Sequence, residues 1–297
     1  MIVAPPQTRA VWRFDAIGTR WEIETATALR AGTQDEVSAL IADFDRTWSR
    51  FRADSLVSEI ADTGIAATGG GIASPPDAHA MLEVYRELSE ATSGAVNPLV
   101  GESLARRGYD RDYTLIDRGA EPSPSAWTEL VRWSGGRLHA PQDRVIDVGA
   151  VGKGRLVDLV HEIVCREASG QVVVDASGDL SVRGGPVRIG LEHPYDARRA
   201  IGVFEVADAA LCASAANRRA WGEGLHHVLD ARTGEPVRRV AATWAVAEDA
   251  LHADAAATAL FFDGGPELAA AWGVDWVRMT TDGRLEWAPG CRAELFS

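Results

Sequence analysis

The sequence predicts an α+β fold, with helices packed on mixed or antiparallel sheet. Three observations carry that expectation. Strand-like runs come in local hairpins, one about Gly18 and one about Asp282-Gly283, a dipeptide suited to a tight turn. Helical patterns stand apart from these hairpins instead of alternating strictly with strands, which disfavours a doubly wound sheet. Hydrophobic residues fill 46% of 297 positions, enough for a sizeable core, and no internal repeat divides the chain. The expectation is one domain spanning residues 1–297.

Taken in order, residues 11–27 read as two short strands about a turn at Gly18. Across 34–52, Val37, Leu40, Ile41, Phe44, Trp48 and Phe51 recur at helical spacing. A second helix is expected over 77–93, with Asp77 as N-cap and Gly94 as stop. Scattered Gly and Pro make 98–143 a long irregular region. Arg144–Val148 is then expected as a strand and 155–168 as a helix. Gln171–Asp175 and Ser181–Leu191 follow as strands. His226–Asp230 reads as a strand entering a turn at Arg232-Thr233-Gly234. Residues 240–247 are a strand, 249–262 an alanine-rich helix, and Val274–Thr280 with Arg284–Trp287 a closing hairpin.

Charge narrows the function classes. Forty-three acidic residues against 30 basic ones give a net charge of −13. A general nucleic-acid binder needs a basic face, and an anionic membrane would repel this surface. No run approaches 18 apolar residues, so no membrane insertion is expected. The opening Met1-Ile2-Val3-Ala4-Pro5-Pro6-Gln7 lacks the marks of an export signal. Cys165, Cys212 and Cys291 lie far apart, in no metal-ligand spacing, and their odd number makes no complete disulfide set. Together these point to the cytoplasm.

Lys153 is the only lysine; the other 29 basic residues are arginines. A compact ammonium and a wide guanidinium are not interchangeable at a tight phosphate site. Lys153 lies in Ile146-Asp147-Val148-Gly149-Ala150-Val151-Gly152-Lys153-Gly154, between a strand-like and a helix-like run. Glycines let backbone amides approach a ligand, and a helix start favours anions. Neither GxxxxGK[ST] nor GxGxxG is present, so this is neither a Walker loop nor a Rossmann fingerprint.

Asp254 and Thr258 are four apart on the alanine-rich helix and share a face. A carboxylate and a hydroxyl one turn apart suit Mg²⁺, although an exposed Asp and a back-bonded Thr would look the same. His226-His227 opens a strand-like run, where adjacent side chains point oppositely, so at most one of the pair can face a site as general base. Asp175-Ala176-Ser177-Gly178-Asp179 reads as a strand ending in a turn with two carboxylates.

In order along the chain, these segments resemble the motifs of the FAD:protein FMN transferases, or ApbE-like flavin transferases. Phe14-Asp15-Ala16-Ile17-Gly18-Thr19 is similar to FxAMGT, and Trp48–Ser55 to FSxYxxxS. Ser93–Pro98 resembles GxFDPT, and Ile146–Asp158 resembles DLGGIAKGxxxD, the most specific match. Gly178-Asp179 resembles the end of NxGGD, His226–Pro236 resembles HHIIDPxTGxP, and Asp254–Thr258 resembles ADAxAT.

The resemblance implies an ApbE-like, T-fold-like domain that uses FAD as substrate and Mg²⁺ as cofactor. It implies transfer of FMN to a serine or threonine hydroxyl of a target protein, releasing AMP. On this chain it implies Mg²⁺ ligation by Asp254 and Thr258 side chains and the Ala150 carbonyl. Lys153, Asp147, Asp179 and Thr243 would contact FAD. Phe51 would hold the flavin-stacking position, Ile17 the flavin-contacting one, and Ala95, Val96 and Asn97 would line the pocket. His227 would deprotonate the acceptor hydroxyl, with Lys153 stabilising pyrophosphate charge. The same metal site with water as acceptor would make an FAD pyrophosphatase, and a chain without turnover a flavin-binding protein. Departures fall at Phe51, Asn97, Ser177, Ala213–Ala215 and Ala231.

Overall fold

A computed structural model describes residues 9–67 and 69–296 of the chain. The opening heptapeptide read for an export signal lies outside the described residues. The centre is an eight-stranded sheet. Its strands run, in spatial order, Ala10–Ala16, Thr19–Thr25, Val172–Asp175, Asp179–Arg183, Ala209–Ala215, Val240–Ala247, Asp275–Thr280 and Leu285–Trp287. Every neighbouring pair is antiparallel, so the α+β expectation holds.

Side-chain alternation along these strands builds two cores. Val172, Val174, Ala210, Cys212 and Ala245 point toward the helices. Val173, Val182, Leu211, Trp244 and Val246 point the other way. That second face is covered by a three-stranded sheet of Val187–His193, Asp196–Val206 and Glu294–Leu295. Burial on both faces explains why Val172–Asp175 and Val240–Ala247 read as largely apolar runs.

The first hairpin closes through Ile17 (φ 47°) and Gly18 (φ 72°). Two left-handed residues in a two-residue loop give the twist that a hairpin needs. The first helix is Ala31–Trp48, four residues shorter at its end than the spacing suggested. Ser49 turns extended there, so Phe51 leaves the helix and enters a loop. Helix Ala78–Ala91 follows as expected, but Asp77 does not cap it by side chain. Asp77 takes φ 64° and its carboxylate binds the Arg155 guanidinium at 2.7 and 2.9 Å.

Several expectations are corrected. Helices Gly101–Arg106 and Trp127–Leu130 and a hairpin of Arg132–Ser134 with Arg137–His139 fill the stretch 98–143 read as irregular, and a further helix is Leu56–Thr63. Arg144–Val148 joins no ladder; it is held by the Asp147 amide on Pro98 O (2.7 Å) and the Tyr85 hydroxyl on Asp147 O (2.8 Å). Ser181–Leu191 is two strands, broken by Gly184 (φ 80°) and Gly185 (φ 133°). His226–Asp230 is two short ladders: Leu225–His226 pairs with Ala220–Trp221, and Leu229–Asp230 with Glu235–Pro236.

Two helices carry the site. The lysine helix, Gly152–Glu167, packs on the alanine helix, Ala250–Ala259, beneath strand Ala209–Ala215. Ala253, Ala255, Ala256, Ala257 and Ala259 are all fully buried. Small side chains on every side let this helix sit between sheet and helices at close range.

Candidate functional site

A cavity of about 740 Å³ opens where the lysine helix, the alanine helix and the central strands meet. Its charged floor holds Lys153, Asp179 and Asp254. Lys153 Nζ lies 2.9 Å from Asp179 Oδ2, and Asp179 is 1% exposed. Burial works against the lysine charge, but Asp179 and Asp254 outweigh it, and the ammonium pKa rises. Burial and then the nearby Asp179 drive the Asp254 carboxyl well above the ordinary range, opposed by Lys153 and by a hydrogen bond from the Gly154 amide. Asp254 thus keeps its proton to higher pH than an ordinary carboxyl, beside the Lys153–Asp179 ion pair.

The glycines act differently from the sequence reading. A side chain at Gly154 would meet Ala250 O at 2.1 Å and Asp254 Cβ at 2.7 Å. One at Gly152 would meet Val148 Cγ2 at 2.8 Å. Both glycines therefore pack the helix start against its neighbours. The Gly154 amide donates to Asp254 Oδ2 at 2.9 Å, and the Gly149 amide to Asp147 Oδ1 at 2.7 Å. These amides orient carboxylates of the chain itself.

Asp254, Thr258 and Ala150 all line the cavity. Tyr85 links Ala150 to the buried core: its hydroxyl donates to Asp147 O and accepts from the Ala150 amide at 3.2 Å. Among the described residues no group of three or more His, Cys, Asp and Glu side chains could hold a metal. The donors here are one carboxylate, one hydroxyl and one carbonyl. Such a set is hard and incomplete, which fits Mg²⁺, an ion that keeps waters and takes substrate phosphates. Asp158 fixes the alanine helix from below, accepting the Ala250 and Leu251 amides at 2.8 and 2.9 Å.

Another part of the lining is aromatic. Phe51 and Tyr109 form it, with their rings edge to face at 5.2 Å. The Arg50 guanidinium lies 4.1 Å from the Phe51 centroid and 4.9 Å from that of Tyr109. Arg50 Nε pairs with Asp147 Oδ2 at 2.6 Å. The Asp147 carboxylate is thus engaged by Arg50 and Gly149. Ala95, Val96 and Asn97 also line the cavity, although the Asn97 side chain is tied to Pro124 O (2.8 Å) and the Leu99 amide (2.9 Å).

His227 lines the cavity and its amide donates to Arg219 O at 3.2 Å. Burial, then the Arg219 charge, lower its imidazole pKa to about 3. It is neutral at pH 7 with a lone pair able to accept a proton. His226 turns away, its Nε2 2.8 Å from Val237 O. One histidine of the pair faces the cavity, but not by strand alternation, because His227 lies between the two short ladders.

Ile17 and Thr243 are not among the cavity-lining residues. Ile17 is in the hairpin turn and packs against the helix-side core, while Gly18 and Thr19 reach the cavity. Thr243 is fully buried and its hydroxyl donates to Ala257 O at 2.7 Å, fastening the alanine helix to its strand. Two departures have local compensation. Ser177 takes φ 57° and its hydroxyl donates to Arg20 O at 2.8 Å. The Ala231 amide donates to Ala95 O at 3.0 Å, a bond a proline could not form.

Sequence reasoning missed Arg50, Tyr85, Tyr109 and Arg219, all cavity-lining. None belongs to a short pattern with its own chemical signal. Arg50 precedes Phe51 directly, and in sequence a buried guanidinium looks like a surface one.

The fold is antiparallel α+β, and one cavity is lined both by the charged residues Lys153, Asp179 and Asp254 and by the aromatic residues Phe51 and Tyr109. The sequence model of the ApbE family matches residues 17–275, and the chain belongs to that family. An FAD:protein FMN transferase of Rhodobacter capsulatus is 27% identical over 304 residues, covering 95% of this chain and 57% of the relative. Another, from Treponema pallidum (strain Nichols), is 27% identical over 239 residues, covering 67% of this chain and 65% of the relative. The chain therefore spans under two thirds of the length of these relatives. The ApbE protein of Thermotoga maritima shares the fold at a TM-score of 0.80 and 22% identity, covering 95% of this chain and 98% of its own. The Vibrio cholerae flavin transferase ApbE gives 0.78 and 20%, with coverage of 95% and 98%.

Proposed function

We propose that this chain is a Mg²⁺-dependent FAD:protein FMN transferase of the cytoplasm, acting as one domain. It would move FMN from FAD to a serine or threonine hydroxyl of an acceptor protein, with release of AMP. The observation that carries this reading is the single cavity joining the Lys153–Asp179–Asp254 floor to the Phe51–Tyr109 wall. Pyrophosphate suits the first and an isoalloxazine ring the second. The names of the two curated relatives support the same activity.

Asp254, Thr258 and the Ala150 carbonyl would hold Mg²⁺. When bound, the ion would neutralise pyrophosphate charge and polarise a phosphoryl oxygen. The chain's own groups do the rest. Lys153, kept charged by Asp179 and Asp254, offsets charge on the pyrophosphate as the acceptor oxygen bonds phosphorus and the AMP oxygen leaves. His227, neutral at the start, takes the acceptor proton. Phe51 and Tyr109 hold the ring.

The test is incubation with FAD, Mg²⁺ and a candidate acceptor, reading AMP release and flavin fluorescence on a denaturing gel. Flavin on the acceptor with matching AMP supports transfer. AMP and free FMN without attachment would make the chain a pyrophosphatase, and no AMP under any condition would overturn the enzymatic reading.

A further inference from the structure

Phe51 is not a free platform. The Tyr113 ring lies parallel to it, with 5.2 Å between centroids and 7° between planes. Tyr113 also meets Tyr109 edge-on at 5.6 Å. Tyr113 does not line the cavity and is 52% exposed, so it covers this aromatic wall from the solvent side. The ring stacked on Phe51 belongs to the chain itself.

The segment carrying Tyr113 is tied by hydrogen bonds at its base and at its tip, where the Tyr113 amide donates to Asp110 O at 3.1 Å. Leu115 N donates to Gly108 O at 2.9 Å, Arg118 N to Arg106 O at 2.7 Å, and Arg107 pairs with Asp117 at 3.0 Å. At the tip Asp110 accepts from the Thr114 amide (2.9 Å), the Thr114 hydroxyl (2.6 Å) and the Asp112 amide (3.2 Å). Leu115 and Ile116 stay exposed at 47% and 58%, so little apolar surface fixes the tip. Tyr113 (φ 50°) and Leu115 (φ 55°) are both left-handed without being glycine. An aromatic stack therefore sits on a segment that carries two left-handed non-glycine residues.

We propose that Tyr113 is a positioning and specificity residue of the flavin end: it yields its place on Phe51 to the incoming isoalloxazine and then closes on the ring's outer face. This rests on the FAD reading above. Only a broad planar ring can both replace Tyr113 on Phe51 and recover its stacking.

The test is stopped-flow flavin fluorescence with FAD and Mg²⁺ in the absence of any acceptor protein, comparing the parent with Tyr113→Ala and Tyr113→Phe. Tyr113→Ala should associate several-fold faster, because nothing is displaced. It should dissociate roughly tenfold or more faster, because one stacking face is gone. Tyr113→Phe should stay within about twofold of the parent in both rates. An alanine variant unchanged in both rates overturns the proposal, as does a phenylalanine variant as impaired as alanine. A ligand-free arm uses ¹⁹F NMR of 3-fluorotyrosine, with Tyr113→Phe assigning the resonance. Its shift should move in Phe51→Leu, and a signal that ignores Phe51 denies the stack. A parent that binds no FAD overturns the flavin reading and this inference with it. A parent that binds FAD while Tyr113→Ala matches it overturns the inference alone.

Discussion

Gly154 and Asp254 are in direct contact: the Gly154 amide donates to Asp254 Oδ2 at 2.9 Å, and no side chain fits at Gly154. The glycine lets the lysine helix and the alanine helix touch, and that contact aims the carboxylate into the cavity. Gly154→Ala would place a methyl 2.1 Å from Ala250 O. Overpacking of this kind costs roughly 1–3 kcal/mol or more. The expected outcome is a lower urea midpoint and, in the folded fraction, loss of AMP release from FAD. A variant of parental stability and activity would show that the helices can separate without moving the site.

Asp254→Asn separates charge from shape. Asparagine can still accept the Gly154 amide but cannot serve as a charged metal ligand. AMP release should fall by roughly a hundredfold or more, the scale set by losing one stabilising group in the transition state. The stability effect has a sign. The folded pKa of Asp254 is raised, so the folded state holds its proton at pH values where the unfolded chain has lost it. Parental stability therefore declines as pH rises above the ordinary carboxylate range, and Asp254→Asn should flatten that decline. Urea unfolding from pH 4 to 8 checks this. An equally steep decline in the variant would assign it to another group.

Much of this site was legible because its motifs are local. The run from Asp147 to Lys153 and the pair Asp254 and Thr258 each lie within one short segment, and Asp147, Gly149, Ala150, Lys153, Asp254 and Thr258 line the cavity. What was not legible depends on contacts between distant segments. The Arg50–Asp147 pair joins residues 97 apart, and Tyr85 reaches Ala150 from another helix. The strands Asp196–Val206 and Ala209–Ala215 were missed for a related reason: exposed arginines, glycine and alanine dilute their β signal, and pairing supplies the rest. Gly152 and Gly154 were recognised as important and given the wrong partner, since close approach to a phosphate and to a helix look alike in sequence.

Lys153→Arg tests whether a point charge is required. Lys153 Nζ fits between Asp179 and the Ala176 carbonyl, at 2.9 and 3.4 Å. A guanidinium is wider and cannot take both positions without displacing Asp179, which is buried. Arginine should cost roughly 2–4 kcal/mol of transition-state stabilisation, measured as kcat/KM for AMP release. Lys153→Ala should lose at least as much, and should also destabilise the fold, because Asp179 and Asp254 would face each other without a cation. An arginine variant with parental kcat/KM would make the single lysine a compositional accident.

His227 gives the last test. Burial and the Arg219 charge lower its pKa to about 3, so the free chain should keep this imidazole neutral well below the ordinary histidine midpoint. Its ring proton resonances should not titrate between pH 8 and about 5, whereas the unfolded chain titrates near 6.5. Between those values the unfolded state binds the extra proton, so this group lowers stability as pH falls from about 7 toward 3. A base with so low a pKa is weak until an anion lies beside it. Bound pyrophosphate supplies that anion, and FAD should shift the titration upward. His227→Ala should lose flavin attachment by roughly 10²–10⁴-fold while FAD still binds, since the ring and phosphate contacts do not use the imidazole. Slow FAD hydrolysis should fall less, because water has other proton acceptors and a docked acceptor hydroxyl does not. A midpoint near 6.5 in the free chain would contradict the buried environment. Full flavin attachment in the alanine variant would remove His227 from the reaction.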